Sequence, residues 1–380
     1  MADATSDAFL SGQGIPVETG QIESELTRLW GPAAELAGGP EPENPNVTRV
    51  VLANLVVEAG PDCPECLEAT LDTVAERHPC RAIVLRRTDE PGRSIQAEVA
   101  ALCHLPAPDK PQVCSERIVL RSGSEGFDLL PGAVRPLLEA NLPFVLWWTE
   151  DPRTNSSVFV DLARESSRLI LDLPDPSADP QAVRFGLDPS LNPFARDTSW
   201  FGITRWRELV AQFFDGPDPL VTLAKLASVE ITAEVPGEPR IPRVAAWLIA
   251  WIAGQLGWEP VERKEAAPGR LEASFRSATG TIAIVIKTVS NEDAGVARII
   301  GVKLAARGDH GPDTYHLTRP DPESSRVRVN VSSHNTCALP RVVVSAEMDP
   351  ADRVTAALES GRLDPPFTRG LPHLLWLLGA

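Results

Sequence analysis

The sequence predicts a two-domain protein of mixed α/β class, and three observations support this. The chain has 380 residues, which is long for one ordinary hydrophobic core. Its first half alternates strand-like apolar runs with helical segments, as in a βαβ unit. Its second half changes to several helices followed by closely spaced strand-like segments, a pattern typical of antiparallel hairpins.

The first half is organised around strands separated by helices. Residues 1–40 are predicted as a flexible arm with a short helix, and a Gly/Pro-rich linker leads into an N-terminal domain over residues 41–190. The expected strands share a high content of β-branched and apolar residues, and they cover residues 48–57, 81–86, 95–102, 113–120, 144–148 and 168–173. Helices are expected between residues 62 and 78, at 127–140 and at 158–167.

The segment 144–148 indicates what kind of sheet this domain contains. Alternation places Phe144, Leu146 and Trp148 on one face of the strand. Val145 and Trp147 then lie on the other face. A strand that is apolar on both faces belongs inside a sheet covered on both sides. We therefore expect an α/β domain with a mixed sheet and helices on both faces.

The second half, residues 191–380, is predicted to be a C-terminal α+β domain. Helices are expected first, at 204–215, 217–228 and 243–257. The strand candidates that follow share short length and intervening turns, and they lie at 270–277, 281–288, 298–306, 315–319, 327–331 and 341–346. A helix at 351–359 and an apolar segment at 371–378 end the chain. The expected result is a set of helices packed on an antiparallel sheet.

The composition excludes some classes of partner. The formal net charge is −16, which argues against a nucleic-acid-binding protein because phosphate binding needs a basic surface. It also disfavours binding to an anionic membrane. An acidic chain is expected to be soluble and to meet partners that carry basic patches.

The sequence gives no sign of secretion or membrane insertion. The first thirty residues lack the basic and apolar regions of a signal peptide. No apolar run reaches the roughly 18 to 20 residues that span a bilayer, and the most hydrophobic stretch, 244–252, is predicted as a buried helix. Six cysteines without a leader agree with a reducing compartment. We expect a cytoplasmic protein.

Motifs for cofactor binding and catalysis are missing. A dinucleotide-binding turn needs Gly-x-Gly-x-x-Gly between a strand and a helix, and Gly12-Gln13-Gly14 has no third glycine in register and no strand before it. Phosphate loops are absent, and Ser122–Gly126 lacks the register of a nucleophile elbow. The histidines form no metal-binding pair. We therefore expect no cofactor, no metal and no catalytic residue.

The cysteines leave three interpretations open. Cys63 and Cys66 have the Cys-x-x-Cys spacing of redox pairs and zinc sites. A second such pair, which would favour zinc, is missing, and the remaining cysteines are irregularly spaced. Free structural thiols are the favoured interpretation. A redox-active Cys63–Cys66 pair and a metal site are the alternatives.

Tryptophan is the most distinctive residue type, with nine copies against one tyrosine. The helix predicted at 204–215 carries an apolar stripe, which indicates packing against a core. Trp200, Arg205, Trp206 and Arg207 allow a second interpretation, because tryptophan flanked by arginine is a common anchor of protein interfaces. Core packing and a partner interface therefore both remain open for these four residues.

Several stretches together resemble a known family. They are distinctive in order and spacing, and they comprise residues 76–85, 113–120, 130–148, 197–215 and 244–258. Over residues 45–260 the chain resembles OpcA, the family of glucose-6-phosphate dehydrogenase assembly proteins. Residues 1–40 and the tail beyond about residue 265 match less distinctively.

The resemblance implies a non-catalytic partner that binds glucose-6-phosphate dehydrogenase and promotes its assembly or allosteric activation. The downstream effect would be NADPH supply from the oxidative pentose phosphate pathway. Neither composition nor periodicity indicates this role. The alternative is a metabolite-binding sensor or small-molecule enzyme of α/β fold that acts on sugar phosphates, because an α/β sheet offers a crevice at the carboxyl ends of its strands.

Overall fold

The computed structural model describes residues 8–38, 47–60, 64–104, 112–176, 178–215, 217–308, 311–321, 324–333, 336–337 and 339–380. Within these ranges the chain forms two mixed sheets with helices packed against them, which confirms the predicted α/β class. By its internal contacts the chain divides into two compact units. One comprises the residues up to Leu173, Phe185–Asp197 and Pro350–Glu359. The other comprises Pro174–Arg184, Thr198–Asp349 and Ser360–Ala380.

The strands, numbered along the chain, fall into two groups. Those of the first unit are β1 Ile15–Val17, β2 Val47–Arg49, β3 Asn54–Ala59, β4 Arg81–Arg87, β5 Ile95–His104, β6 Gln112–Ser122, β7 Phe144–Trp148, β8 Arg168–Leu171 and β9 Ala195–Asp197. Those of the second unit are β10 Leu226–Val235, β11 Glu259–Ala267, β12 Arg270–Ser277, β13 Gly280–Ser290, β14 Arg298–Gly308, β15 Gly311–Thr318, β16 Arg326–Ser333, β17 Thr336–Cys337 and β18 Arg341–Val344.

The helices are numbered in the same way. The α-helices are α1 Ile22–Gly38, α2 Pro64–Arg77, α3 Leu130–Val134, α4 Ser156–Glu165, α5 Pro180–Gly186, α6 Thr198–Gly202, α7 Thr204–Ala211, α8 Pro217–Ala224, α9 Arg243–Leu256, α10 Pro350–Glu359 and α11 Pro365–Leu378. Short 3₁₀ turns lie at Thr19–Gln21, Phe127–Leu129, Arg135–Leu137 and Gln212–Phe214.

The sheet of the first unit has the order β1-β5-β6-β4-β3-β7-β8-β9, and β2 adds to the amino end of β6. The six strands from β6 to β9 are parallel, whereas β5 and β1 extend the sheet antiparallel. The parallel strands are apolar on both faces, and every residue of β3 and of β7 is buried. This agrees with the expectation from residues 144–148 that the strand lies inside a covered sheet.

The amino ends of these strands are held by a buried ion-pair cluster. The Glu116 carboxylate is fully buried and accepts hydrogen bonds from Arg49 Nε at 2.7 Å and Arg81 Nε at 2.7 Å. It also accepts from the indole Nε1 of Trp30, on α1, at 2.6 Å. Arg81 continues to Glu23 of α1 at 2.6 Å. The cluster therefore fixes helix α1 to the sheet.

The N-terminal region differs from the predicted flexible arm with a short helix. Residues 15–17 form β1, which pairs antiparallel with β5, and the sequence indicates no strand there. Phe9 is fully buried, with its ring centroid 5.1 Å from that of Trp30. Apolar contacts of this kind need a partner surface that only the folded chain supplies.

The sheet of the second unit has the order β11-β12-β13-β10-β14-β15-β16-β17, and β18 pairs with β16. All of its pairings are antiparallel except that of β10 with β13. Helix α9 packs on β10, β13 and β14. It is buried almost all round, as predicted for this apolar stretch. It ends at Leu256 and is capped by Gly257, whose φ of 62° is the left-handed conformation that glycine favours. Among the described residues no helix has the length and apolar character needed to cross a membrane.

Two predicted helices are wrong, and the strand expected at 48–57 is interrupted, since β2 ends at Arg49 and β3 begins at Asn54. The helix expected at 217–228 ends at Ala224, and residues 226–235 form β10, in the interior of the second sheet. The helix expected at 127–140 is broken into 3₁₀ and α turns, because Pro131 and Pro136 lack the N–H that a continuous helix requires.

Candidate functional site

The parallel sheet of the first unit has one position where ligands characteristically bind. The order β6-β4-β3-β7-β8-β9 is that of a doubly wound dinucleotide-binding sheet. From β3 the chain proceeds to β4 on one side, and it later returns to β7 on the other side. The strand order therefore reverses between β3 and β7. In such folds the ligand lies at the carboxyl ends of the two strands that flank this reversal.

Two glutamates and a threonine occupy this position. Glu58 lies near the end of β3 opposite Trp148, and Thr149 and Glu150 follow β7 directly. The backbone N–H groups of Thr149 and Glu150 donate to Glu58 Oε2 at 3.3 Å and 3.1 Å. Thr149 Oγ1 donates to the Glu58 carbonyl oxygen at 2.9 Å and accepts from the Gly60 N–H at 3.2 Å. The ends of both strands are thus tied to one carboxyl group.

Burial makes this carboxyl group hard to ionise. Glu58 is only 2% exposed, and burial raises its pKa to about 8, with the charge of Glu150 and a hydrogen bond between the two side chains acting in the same direction. The N–H donors from Thr149 and Glu150 lower the pKa but do not offset the burial. At neutral pH the Glu58 carboxyl group therefore retains its proton.

The space beside Gly60 differs from the space beside the glycine of a dinucleotide-binding turn. A dinucleotide-binding turn uses glycine so that the pyrophosphate can approach bare backbone. A Cβ placed on Gly60 would lie 2.8 Å from Cγ and 3.2 Å from Oε1 of Glu150. The space against this glycine is thus filled by a carboxyl-bearing side chain. An acidic group at this position would repel a phosphate placed beside Gly60.

The sequence analysis missed this pair. Glu58 and Glu150 are 92 residues apart, and no short motif connects them. A glutamate near the end of a strongly apolar strand is the one local signal, since charged side chains are seldom fully buried. Only the pairing of β3 with β7 brings the two carboxyl groups together.

The candidate interface residues are divided between core and surface. Trp200 and Trp206 are 1% and 2% exposed. The Trp200 ring packs 5.1 Å from that of Trp247, and its indole Nε1 donates to Asp364 Oδ2 at 2.9 Å. Arg205 is exposed and pairs with Glu208 at 2.9 Å. The structure thus brings the two tryptophans into the core and leaves Arg205 at the surface.

Arg207 lies between these extremes. Its guanidinium carbon is 3.7 Å from the centroid of the Trp200 ring, a cation–π contact, and one of its nitrogens donates to Thr204 Oγ1 at 3.0 Å. Burial lowers the Arg207 pKa to about 10, so the group remains charged at neutral pH. An interface role for Trp200, Arg205, Trp206 and Arg207 stays a prediction.

The favoured interpretation of the cysteines, free structural thiols, is wrong for two of them. Cys103 and Cys114 form a disulfide between β5 and β6, with Cα atoms 4.1 Å apart. They stand directly opposite each other in the antiparallel register, which their spacing in the sequence does not reveal. Cys80 is free and buried, and burial raises its pKa to about 12.

The structure does not test the prediction made for Cys63 and Cys66. Cys63 and the side chain of Cys66 lie outside the described residues. Within the described ranges no group of three or more histidine, cysteine, aspartate or glutamate residues is arranged to hold a metal ion. A redox or metal role for Cys63 and Cys66 therefore remains a prediction.

Comparison with known families gives two consecutive matches. Residues 71–184 match the family described as the glucose-6-phosphate dehydrogenase subunit N-terminal domain, under the name OpcA. Residues 193–371 match the corresponding C-terminal domain. Together the two matches cover most of the chain, including the tail, which resembles the family only weakly by inspection.

Relatives with curated descriptions agree with these matches. The chain is 30% identical over 194 residues to a Synechococcus elongatus protein with the provisional name OxPP cycle protein OpcA, covering 50% of this chain and 42% of the relative. A Nostoc punctiforme protein of the same name is 28% identical over 244 residues, covering 63% of this chain and 49% of the relative. The chain thus spans less than half the length of these relatives.

Solved structures give only distant likenesses. An oxidoreductase from Sinorhizobium meliloti matches with a TM-score of 0.46 and 9% identity, covering 86% of this chain and 95% of that one. An oxidoreductase domain protein from Kribbella flavida matches with a TM-score of 0.44 and 11% identity, covering 87% and 96%.

Proposed function

The chain belongs to the OpcA family, and from that premise we propose that it is a non-catalytic accessory protein of glucose-6-phosphate dehydrogenase. It binds the enzyme and promotes its assembly or its allosteric activation, and it needs no cofactor of its own. Its place is the cytoplasm, where it raises NADPH supply from the oxidative pentose phosphate pathway.

The observation that carries the non-catalytic part of the proposal is the Glu58–Glu150 pair. A doubly wound sheet that acted as a dehydrogenase would hold its nicotinamide dinucleotide at the ends of β3 and β7. In this chain the side chain of Glu150, which is hydrogen-bonded to the buried Glu58, fills the space against Gly60. The sheet then acts as a scaffold, and residues at the surface of the protein carry the function.

Activation without chemistry requires a difference in binding. The accessory protein must bind the active state of the enzyme more tightly than the inactive state, since otherwise it cannot shift the equilibrium between them. A tenfold activation needs only about 1.4 kcal/mol of differential affinity. An interface of modest size can supply that difference, so the two proteins need not form a permanent complex.

The test uses this chain and the dehydrogenase of the same organism, both purified. Glucose-6-phosphate saturation curves are measured for the enzyme alone and with increasing amounts of the chain, and the mixture is analysed by size exclusion with light scattering. We expect a shared elution peak together with a lower apparent KM, a higher kcat or a larger enzyme assembly. Separate elution and unchanged kinetics at all ratios would refute the proposal.

The alternative, a sensor or enzyme for sugar phosphates, is disfavoured by the same site. A phosphate at the ends of β3 and β7 would meet a carboxyl pair where the fold normally presents bare N–H groups. Incubating the isolated chain with glucose-6-phosphate and NADP⁺ separates the two functions. Turnover, or a titratable change in the fluorescence of the chain, would favour the alternative.

A further inference from the structure

One face of the sheet in the second unit is left open. Along β10 the residues alternate, with Val229 and Ile231 fully buried towards the helices and Glu230 between them half exposed. The same alternation continues on the neighbouring strands β13, β14 and β15. Helices α8, α9 and α11 pack on the strands from the buried side. The opposite face therefore stays accessible along several adjacent strands.

A row of short side chains crosses this face. The register aligns one residue from each of five neighbouring strands into a row of small residues: Ser274, Ala283, Ser228, Ala305 and Thr314. Side chains of this size project little above the pleat, so another surface can approach closely. The short side chains alone do not identify the occupant.

Charged residues at the β14–β18 end of the face identify the occupant. Lys303, His316, Arg326 and Arg328 point to the open side, beside Val342 and Val344. The two valines are 61% and 76% exposed. Within the described part of the chain Lys303, Arg326 and Arg328 have no salt-bridge partner. We call these six residues the cationic sheet face. Arginine is among the residue types enriched at protein-binding surfaces.

The charge of the cationic sheet face is opposite in sign to the net charge of the whole chain. A formal net charge of −16 by itself predicts partners with basic patches. The cationic sheet face has the opposite sign, so it would repel such a partner and attract an acidic one. Three unpaired cations are too few for a nucleic-acid site, which neutralises many phosphates at once. An acidic protein surface is the occupant that fits.

A second copy of the chain fits less well. Two-fold packing would bring the cationic end of one sheet over the β11–β13 end of the other. Two carboxylates at that end already have partners: Glu272 pairs with Arg270 at 2.8 Å and Glu259 with Arg276 at 3.4 Å. Glu230, on the adjacent β10, pairs with Lys287 at 2.5 Å. Glu262, opposite Ser274 in the register, is the one carboxylate of β11–β13 on this face that has no salt bridge among the described residues, so a second copy would offer a single free carboxylate to three cations.

We propose that the cationic sheet face is the surface on which an acidic, flat face of the partner dehydrogenase docks. This inference rests on the proposed accessory function and names the surface that performs it. Lys303 and Arg328 supply the charge complementarity, and Val342 and Val344 supply apolar contact area beside them. Association of this kind weakens as salt screens the charges.

The test reverses the charge at this surface. Lys303→Glu combined with Arg328→Glu changes the charge of the face by four units. The matched control, Lys264→Glu with Arg276→Glu, makes the same change on the same face at its opposite edge. Affinity for the dehydrogenase is measured by calorimetry at two salt concentrations, and thermal melting verifies that each variant folds. We expect about a tenfold or greater loss for the patch variant and less than about twofold for the control.

The outcomes separate the two proposals. If the wild-type chain does not bind the enzyme, the accessory function fails and this inference fails with it. If the wild type binds and both variants bind equally well, only the docking surface is refuted. A wild-type dimer that the patch variant converts to a monomer, with enzyme binding unchanged, would assign the face to self-association. Should the double reversal not fold, Lys303→Gln with Arg328→Gln replaces it, with a smaller loss expected.

Discussion

The two sheets of this protein differ in how many of their faces are covered. In the first unit Leu55, Val56 and Val57 are successive residues of β3, and all are at most 1% exposed. In the second unit buried Val229 and Ile231 enclose the half-exposed Glu230. A parallel sheet covered on both faces can meet a ligand only at its strand ends, and here an acid pair closes that position. The sheet with an open face retains the capacity to dock a partner.

The largest expected effect is a loss of stability when one carboxylate in each of the two sheets is replaced. Glu116→Gln removes the fully buried counter-charge of Arg49 and Arg81, which keep the partly exposed Glu139 and Glu23 as ion-pair partners. We expect the free energy of unfolding of the first unit to fall by about 3–5 kcal/mol. The matched change Glu230→Gln breaks a solvent-exposed pair on the open face and should cost less than about 1 kcal/mol. Chemical denaturation of both variants measures the difference. Equal losses would contradict the contrast between a closed and an open sheet.

The second effect depends on pH and tests the closed end of the first sheet. Between the ordinary value of 4.5 and the raised pKa of about 8, folded Glu58 holds a proton that the unfolded chain releases. The free energy of unfolding therefore falls as pH rises through this window, by at most about 1.4 kcal/mol per pH unit from this group.

Glu58→Gln removes this titration but keeps a side-chain oxygen that can accept from the N–H groups of Thr149 and Glu150. Melting temperatures of both proteins are measured across this pH window. The melting temperature of the variant should rise relative to that of the wild type as pH increases, and the difference between the two should be smallest near pH 5. A constant gap at all pH values would mean that Glu58 ionises normally in the folded chain.

The smallest effect concerns the covered side of the second sheet. Asp364 caps helix α11 by accepting from the N–H of Phe367 at 3.0 Å, and it also accepts from the Trp200 indole. Asp364→Ala should cost about 1–2 kcal/mol of stability, the usual value of a lost cap. Binding to the dehydrogenase should stay unchanged, because the docking surface that we propose lies on the opposite face of the sheet. A loss of affinity in a folded variant would indicate that the covered side takes part in docking.

Local pattern was sufficient for much of the fold and for little of the candidate site. The apolar run at 144–148 predicted a buried strand, and β7 has the same bounds. Strand β10 was missed, although Val229, Ile231, Ala233 and Val235 alternate with more polar residues, because it follows a helical segment without a strong turn signal. The Cys103–Cys114 bridge and the Glu58–Glu150 pair depend on strand register, which no local pattern encodes.

The sequence by itself determined the α/β class, the apolar helix α9 and the family to which the chain belongs, because these depend on periodicity and on short distinctive stretches. Tertiary structure decided which charges are buried and which remain free. Glu58 and Glu116 became buried and Lys303 and Arg328 stayed on an open face. The physical reason is that the energy of a charge is set by its surroundings, and residues distant in the chain supply those surroundings.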